Sequence, residues 1–337
     1  MTIDIHAHTI PAPLLVGLAE NAPSIAPRLE DRDGELYFHY PSGRVSGPTP
    51  AGMSDTAARL ADMDASGVRT QALSVPPTHF SYAHGAEEAA AAATLHNDAM
   101  VDMALAHPDR FVVLGTLPLQ DTDLSLKELD RLLSIEQVVG LEFGTNVAGR
   151  NLDDPDLAPI WGAVADAGLA VVLHPDNVAG AQRMHDHYLH NFVGNPTDTT
   201  VAAGSLMFGG VLTDHPNLRI ALLHGGGFLP YQIGRFEHGW SVRPEPQQKL
   251  SVSPRSLLGR FWFDTLTHDT DSLRFLLERV GADRLCLGTD YPFDMADATP
   301  LASIEAAIPD AAVAEQVSVS TPRELLTRRP PRGEGSA

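Results

Sequence analysis

The 337-residue chain is 43% hydrophobic and carries 43 acidic against 23 basic residues, a formal net charge of −20. Such a surface repels polyanions over most of its area, which argues against nucleic acid or an anionic membrane as partner but leaves room for a small anionic substrate gripped by a few local arginines. A single cysteine, Cys286, excludes an intramolecular disulfide, and no apolar run approaches the length of a membrane span. The chain passes into a strand-like run at once, without a basic and apolar leader, so a cytoplasmic protein is the expectation.

The first run, IDIHAH (residues 3–8), holds two histidines. Side chains at i and i+2 of a strand share a face, so His6 and His8 project together, with Asp4 in the same parity. Two imidazoles placed in this way suit a metal ion. Residues 12–55 contain GELYFHYPSGRV, two strand-like runs around a Pro-Ser-Gly turn, and read as a hairpin inserted after the first strand. A helix is expected over 56–67, followed by strands over 70–75 and 111–118 around a helix at 87–108. Helices at 124–134, 157–168 and 271–281 then alternate with strands at 138–144, 169–175, 218–226, 261–265 and 284–292. These strands are rich in Val, Leu and Ile without clean alternation, as parallel strands covered on both faces require. Eight strands alternating with helices predict an α/β fold, a (β/α)8 TIM barrel spanning residues 1–328 as one domain. No G-x-G-x-x-G follows the first strand, which removes the main sign of a dinucleotide fold. Residues 329–337 read as a disordered tail.

In a barrel, catalytic groups gather at the C-terminal ends of the strands. Here strand one ends in His6 and His8, strand five in His174, strand six in His224 and strand eight in Asp290. Nitrogen and oxygen donors without thiolate suit Zn²⁺, with Mn²⁺, Fe²⁺ or Co²⁺ as alternatives. His6, His8, His174 and Asp290 are read as the ligands of one ion. His224 could ligate as well; it is instead given the acid–base role, since an imidazole titrates near neutral pH. Asp264 on strand seven and Asp4 are expected to orient imidazoles. Phe80, Tyr82, Tyr291 and Phe293 are read either as lining the pocket mouth or as core, and His185, His187 and His190 are read as solvated. The HGGG run lacks a G-x-S-x-G partner, which argues against a serine hydrolase.

The H-x-H strand, HP after strand five, HGGG after strand six and GTDYPF after strand eight resemble the amidohydrolase superfamily. LADMDASGVRTQALSVPP, RFVVLGTLPLQD and GGVLTDHPNLRIALLHGGGFLPYQIGRFEHG narrow the resemblance to its 2-amino-3-carboxymuconate 6-semialdehyde decarboxylase branch, over most of residues 1–295. The resemblance implies a barrel with one zinc on residues matching His6, His8, His174 and Asp290, and His224 as the acid–base group that activates metal-bound water. It implies decarboxylation of a small unsaturated or aromatic carboxylic acid. Arg235 matches an arginine that reaches a neighbouring subunit's site to bind substrate carboxylate, which implies a homodimer; its fork suits that contact. Arg44 lies near the branch's second substrate arginine. Asp176 stands where the branch has tryptophan, and Glu142 where it has glutamine, so Glu142 could support a second ion. Within the superfamily, an amide or lactone hydrolase or a hydratase is the alternative. A non-catalytic binding barrel is disfavoured by the intact ligand set.

Overall fold

The computed structural model describes residues 1–329 apart from 34 and 42; residues 330–337, nearly all of the expected tail, lie outside the described residues. Arg329, assigned to that tail, is docked by its N–H on the Gly168 carbonyl at 3.2 Å. Strand β1 spans Ile3–His8, and a small sheet follows from β2 (Arg28–Arg32), β3 (Glu35–His39) and β4 (Val45–Thr49). Then come β5 (Thr70–Ser74), β6 (Phe111–Gly115), β7 (Val138–Gly144), β8 (Ala170–His174), β9 (Arg219–Leu222), β10 (Phe261–Asp264) and β11 (Leu285–Cys286). The large sheet has eight parallel strands in the order β1-β5-β6-β7-β8-β9-β10-β11. It closes through Ile5 N–H donating to Leu287 O at 3.0 Å and a bridge between Ala7 and Tyr291, completing a (β/α)8 barrel.

The expected helices form at Thr56–Ser66, Ala86–Ala106, Thr122–Leu133, Ala158–Ala167 and Thr270–Val280. Local chemistry sets their ends. Asp55 accepts from the Ala57 and Ala58 N–H groups at the start of Thr56–Ser66. Gly67 ends it at φ 77°, where a side chain would be strained. The insertion differs from a bare hairpin: β2, with its charged sequence RLEDR, adds a third antiparallel strand, and the helix Leu14–Asn21 precedes it. The alternation of polar residues in β2 gives no apolar face to recognise.

Apolar side chains fall into layers by strand parity. Leu73, Val113, Leu141, Val171, Ile220 and Phe263 pack outward on helix residues such as Met63, Met100 and Trp161. Ile5, Ala72, Leu114, Val172, Ala221 and Cys286 form a second cluster with Leu325 and Leu326 of helix Thr321–Leu326. This inner layer is apolar below and gives way to His, Glu and Asp at the strands' C-terminal ends.

A register shift sets the parity of β1. Against β5, Asp4 faces Gln71 while Ala7 faces Leu73, so three steps of β1 match two of β5. This bulge puts Ile5 into the inner cluster and Asp4 on the other side of β1, against Gln71. Asp4 therefore does not share the histidines' face, contrary to what regular alternation predicts.

Arg219 ties the C-terminal helix to the barrel: buried, it donates to the carbonyls of Glu324, Leu325 and Gly168. Arg219→Met removes all three bonds, leaving Gly168 O only the Arg329 N–H, and is expected to cost about 3 kcal/mol, read by urea denaturation. A loss under about 1 kcal/mol would mean that these bonds hold nothing together.

Candidate active site

The strand ends bring five of the singled-out side chains together. Ring centroids of His6 lie 5.2 Å from His8, 5.3 Å from His174 and 5.1 Å from His224, and those of His8 and His174 are 4.9 Å apart. Asp290 enters from the segment after β11, with Oδ1 3.2 Å from His6 Nε2 and 3.3 Å from His8 Nε2, and Oδ2 3.7 Å from His224 Nε2. Asp290 has φ 62° and His224 φ 55°, both in the left-handed region.

Three of the imidazoles are pinned from behind. His6 Nδ1–H donates to Asp264 Oδ2 at 2.8 Å, His8 Nδ1–H to the Val75 carbonyl at 2.9 Å, and His174 Nδ1–H to the Pro175 carbonyl at 2.9 Å. With Nδ1 holding the proton, Nε2 presents a lone pair. The Nε2 atoms of His6, His8 and His174 and Oδ1 of Asp290 are buried and have no hydrogen-bond partner. Four converging, unpartnered donor atoms on fully desolvated side chains are what a divalent cation would satisfy, so the residues fit a metal centre. His224 differs. Its Nδ1 has no partner, and its side chain is 17% exposed. Its ring still lies within reach, since ligand atoms of His6, His174, His224 and Asp290 all fall within 4.8 Å of one another.

Charge in the cluster is uneven. Burial pushes His8 and His174 down, so both are neutral. Burial opposes a charge on His6 as well, but Asp290 and Asp264 outweigh it and push His6 up to about 10. Burial also works against the Asp290 carboxylate, yet the charge on His6, with His224 and His8 close by, holds it well below the usual range. The side chains thus retain one positive charge between two carboxylates, where a metal cation would take over that role.

Asp264 performs the orienting task expected of it, and its β-carbon lies against Gly288. A β-carbon at Gly288 would sit 2.7 Å from Asp264 Cβ and 3.1 Å from His6 Cβ, so only glycine admits this approach. Asp4 touches no imidazole; it accepts from Thr289, Gln71 and the His6 backbone. Glu142 is buried, accepts from Ser74 Oγ at 3.0 Å and lies 3.8 Å from His8 Nδ1, the nitrogen facing away from Asp290. Phe293 packs beside His8 with centroids 5.2 Å apart.

The remaining candidates stand further out. Asp176 is half-buried after His174, and its backbone carbonyl accepts from Asn146 Nδ2 at 2.7 Å. Burial pushes its carboxyl up to about 6, while Arg44, exposed in the insertion, works in the opposite direction. Arg235 is exposed on helix Leu229–Val242 and is not among the residues lining the cavity next to His224. That cavity, of about 670 Å³, is bordered by Phe192, Phe228, Tyr231 and Phe275. His185, His187 and His190 are exposed, as expected. Sequence reasoning missed Arg59, wholly buried behind β1 and donating to the His8 carbonyl. The signal was its i,i+4 spacing to the buried Met63 on one helix face.

A family model described as amidohydrolase matches residues 3–328. A 2-amino-3-carboxymuconate-6-semialdehyde decarboxylase of Dictyostelium discoideum is 34% identical over 314 residues, 90% of this chain and 85% of that protein. The 5-carboxyvanillate decarboxylase of Sphingomonas paucimobilis shares the fold at TM-score 0.83 and 23% identity, over 96% of this chain and 98% of that one. A dihydroxybenzoic acid decarboxylase from Polaromonas, solved with manganese and 2-nitroresorcinol, does so at TM-score 0.78 and 22% identity, over 96% of each chain. The chain belongs to the amidohydrolase family. Within it, the chain falls in the 2-amino-3-carboxymuconate-6-semialdehyde decarboxylase-like branch and is an enzyme of the carboxy-lyase class.

Burial pushes Glu142 from 4.5 up to about 8. In metal-free protein the folded state therefore keeps a proton that the unfolded chain has released, and stability falls as pH rises from about 4.5 to about 8. Glu142→Gln is expected to remove this part of the slope in urea denaturation across that range. Parallel slopes for the two proteins would show that Glu142 is ionised in the fold.

Proposed function

We propose that the enzyme is a zinc-dependent decarboxylase of a small unsaturated or aromatic carboxylic acid, with the ion on His6, His8, His174 and Asp290. The supporting observation is the convergence of three pinned imidazoles and one carboxylate, each with an unpartnered buried atom. A divalent metal agrees with the manganese held by the Polaromonas neighbour, and a donor set of nitrogen and oxygen suits zinc. His224 competes with His8 for the fourth ligand position. We assign the position to His8 because a ligating ring is held through its other nitrogen, as His8 is by Val75 and His224 is not. Glu142 lies behind His8 rather than among these atoms, which favours one ion over two and weakens the hydrolase alternative.

The metal would supply Lewis acidity for negative charge on substrate oxygens. The chain's own groups supply position and protons. His224 Nε2 carries a proton to the carbon bearing the carboxylate. The bond to the carboxylate then breaks, its electron pair returns to the unsaturated system, and CO₂ leaves; His224 regains its proton from a substrate hydroxyl or from water. Phe293 gives a flat apolar wall beside His8, and Arg44 and Asp176 set the polarity of the mouth. Relatives named for a carboxymuconate semialdehyde, carboxyvanillate and dihydroxybenzoic acid support this substrate class. We include in the proposal a cytoplasmic homodimer in which Arg235 grips substrate carboxylate across the interface. Exposed Phe192, Phe228 and Tyr231 near that helix support such a face, and no helix among the described residues is long and apolar enough to cross a membrane.

CO₂ release from a panel of muconate-type and hydroxybenzoate acids tests this reading on protein of known zinc content. His224→Ala is expected to lower the rate by about 10³-fold while keeping the ion. No release from fully metallated protein with either acid type would sink the proposal.

A further inference from the structure

Behind β1, away from the histidines, lies a buried polar network that the proposed chemistry does not use. Asp4, Arg59, Gln71 and Thr289 are all within 3% of complete burial. Asp4 is fully subscribed: Oδ1 accepts the N–H groups of His6 at 3.0 Å and Thr289 at 3.1 Å. Oδ2 accepts Thr289 Oγ1–H at 2.7 Å and Gln71 Nε2–H at 3.2 Å. Gln71 Oε1 in turn accepts from Arg59 Nη1 at 2.9 Å, and Arg59 also donates to the carbonyls of His8 and, at 3.1 Å, Gly52. Its guanidinium lies over the Tyr291 ring, 4.7 Å from the centroid.

These bonds bracket one residue. Asp290, at φ 62°, sits between Thr289, whose N–H and hydroxyl are taken by Asp4, and Tyr291, whose N–H donates to Thr289 Oγ1 at 3.2 Å. The Asp290 N–H itself is taken by the His6 carbonyl at 2.9 Å. The peptides on both sides of a backbone conformation unfavourable to aspartate are thus fixed from outside the barrel. The same carboxylate holds the His6 backbone, so one group sets two of the four proposed ligands relative to each other.

We infer that Asp4 and Thr289 are positioning residues that preset the Asp290 carboxylate against His6 and so fix metal affinity. The inference rests on the reading of Asp290 as a ligand. Asp4 must be an acceptor on both oxygens, because four donors converge on it. An asparagine would turn its NH₂ toward two of them.

Chelator competition for Zn²⁺ on the full chain tests this, with circular dichroism confirming the fold of each variant. Thr289→Val, which keeps shape and loses the hydroxyl, is expected to weaken zinc binding by about 10–100-fold. Thr289→Ser, which restores the hydroxyl, is expected to stay within about threefold of the parent, by the same argument. Asp4→Asn provides a second route should Thr289→Val fail to fold, and is expected to weaken zinc in the same range. Asp290→Ala separates the two readings. If it binds zinc like the parent, the ligand assignment and the inference both fall. If it loses zinc while Thr289→Val or Asp4→Asn binds like the parent, the positioning inference alone is overturned. Equal losses in Thr289→Ser and Thr289→Val overturn it too, since the hydroxyl would then not be the cause.

Discussion

The constraint on which the rest depends is closure of the barrel between its first and last strands. A parallel barrel leaves no free edge only if β1 pairs with β11, and β11 is two residues long. Closure is instead made by single bonds: Ile5 to Leu287, Asp290 to His6, and His8 to Tyr291 at 2.7 Å. A regular ladder would fix side-chain parity along the seam. This irregular seam, with a bulge on one side and a left-handed residue on the other, turns His6, His8 and Asp290 toward one point. Gly288 completes it by letting Asp264 approach His6 from β10.

Much of this was legible in the chain. The strand–helix alternation pointed to the barrel, because burial on both faces leaves runs of Val, Leu and Ile that few other arrangements tolerate. The histidines and Asp290 were visible as polar ends on apolar strands. The side of β1 that Asp4 occupies was not legible: a one-residue bulge reverses parity and leaves no trace in the order of residues. Arg59 reads as a surface cation on a helix until the fold shows carbonyls and an amide around it. The third strand of the insertion was hidden because RLEDR has a single apolar residue, Leu29, and no apolar alternation. Arg44 acts on Asp176 across more than a hundred residues of sequence, an influence that spacing cannot express.

A chain of net charge −20 has to draw in an acid substrate. Over distances beyond about 10 Å the surface field is largely screened, and the local charges decide. Near the site they are mixed. Asp264 and Asp290 face His6, burial favours the protonated form of Glu142, and Arg44 lies close enough to Asp176 to act against its raised pKa. With the pair of carboxylates balanced only by a proton on His6, the centre keeps a net negative charge toward an anion. A divalent ion that replaces that proton on the same residues brings the sum to zero. The acidic surroundings therefore act against the substrate and for the metal, and the metal removes the net negative charge that the substrate would otherwise meet.

In the proposed assignment, His224 is a fifth group beside four ligands. A ligand must be held so that its lone pair does not wander, and His6, His8 and His174 are each pinned at Nδ1. A proton carrier needs the opposite: a ring that turns between donor and acceptor positions and reaches solvent. His224 stands just past the four-residue β9, has no bond at Nδ1 and borders the cavity of Phe192, Phe228 and Tyr231. Three glycines follow it, Gly225, Gly226 and Gly227, all at positive φ, so the backbone turns sharply away and leaves the ring standing at the cavity wall. Rigidity and mobility are thus separated along the rim by which imidazoles have an acceptor behind them. On the proposed assignment, that difference, more than the identity of the residues, divides binding from proton transfer.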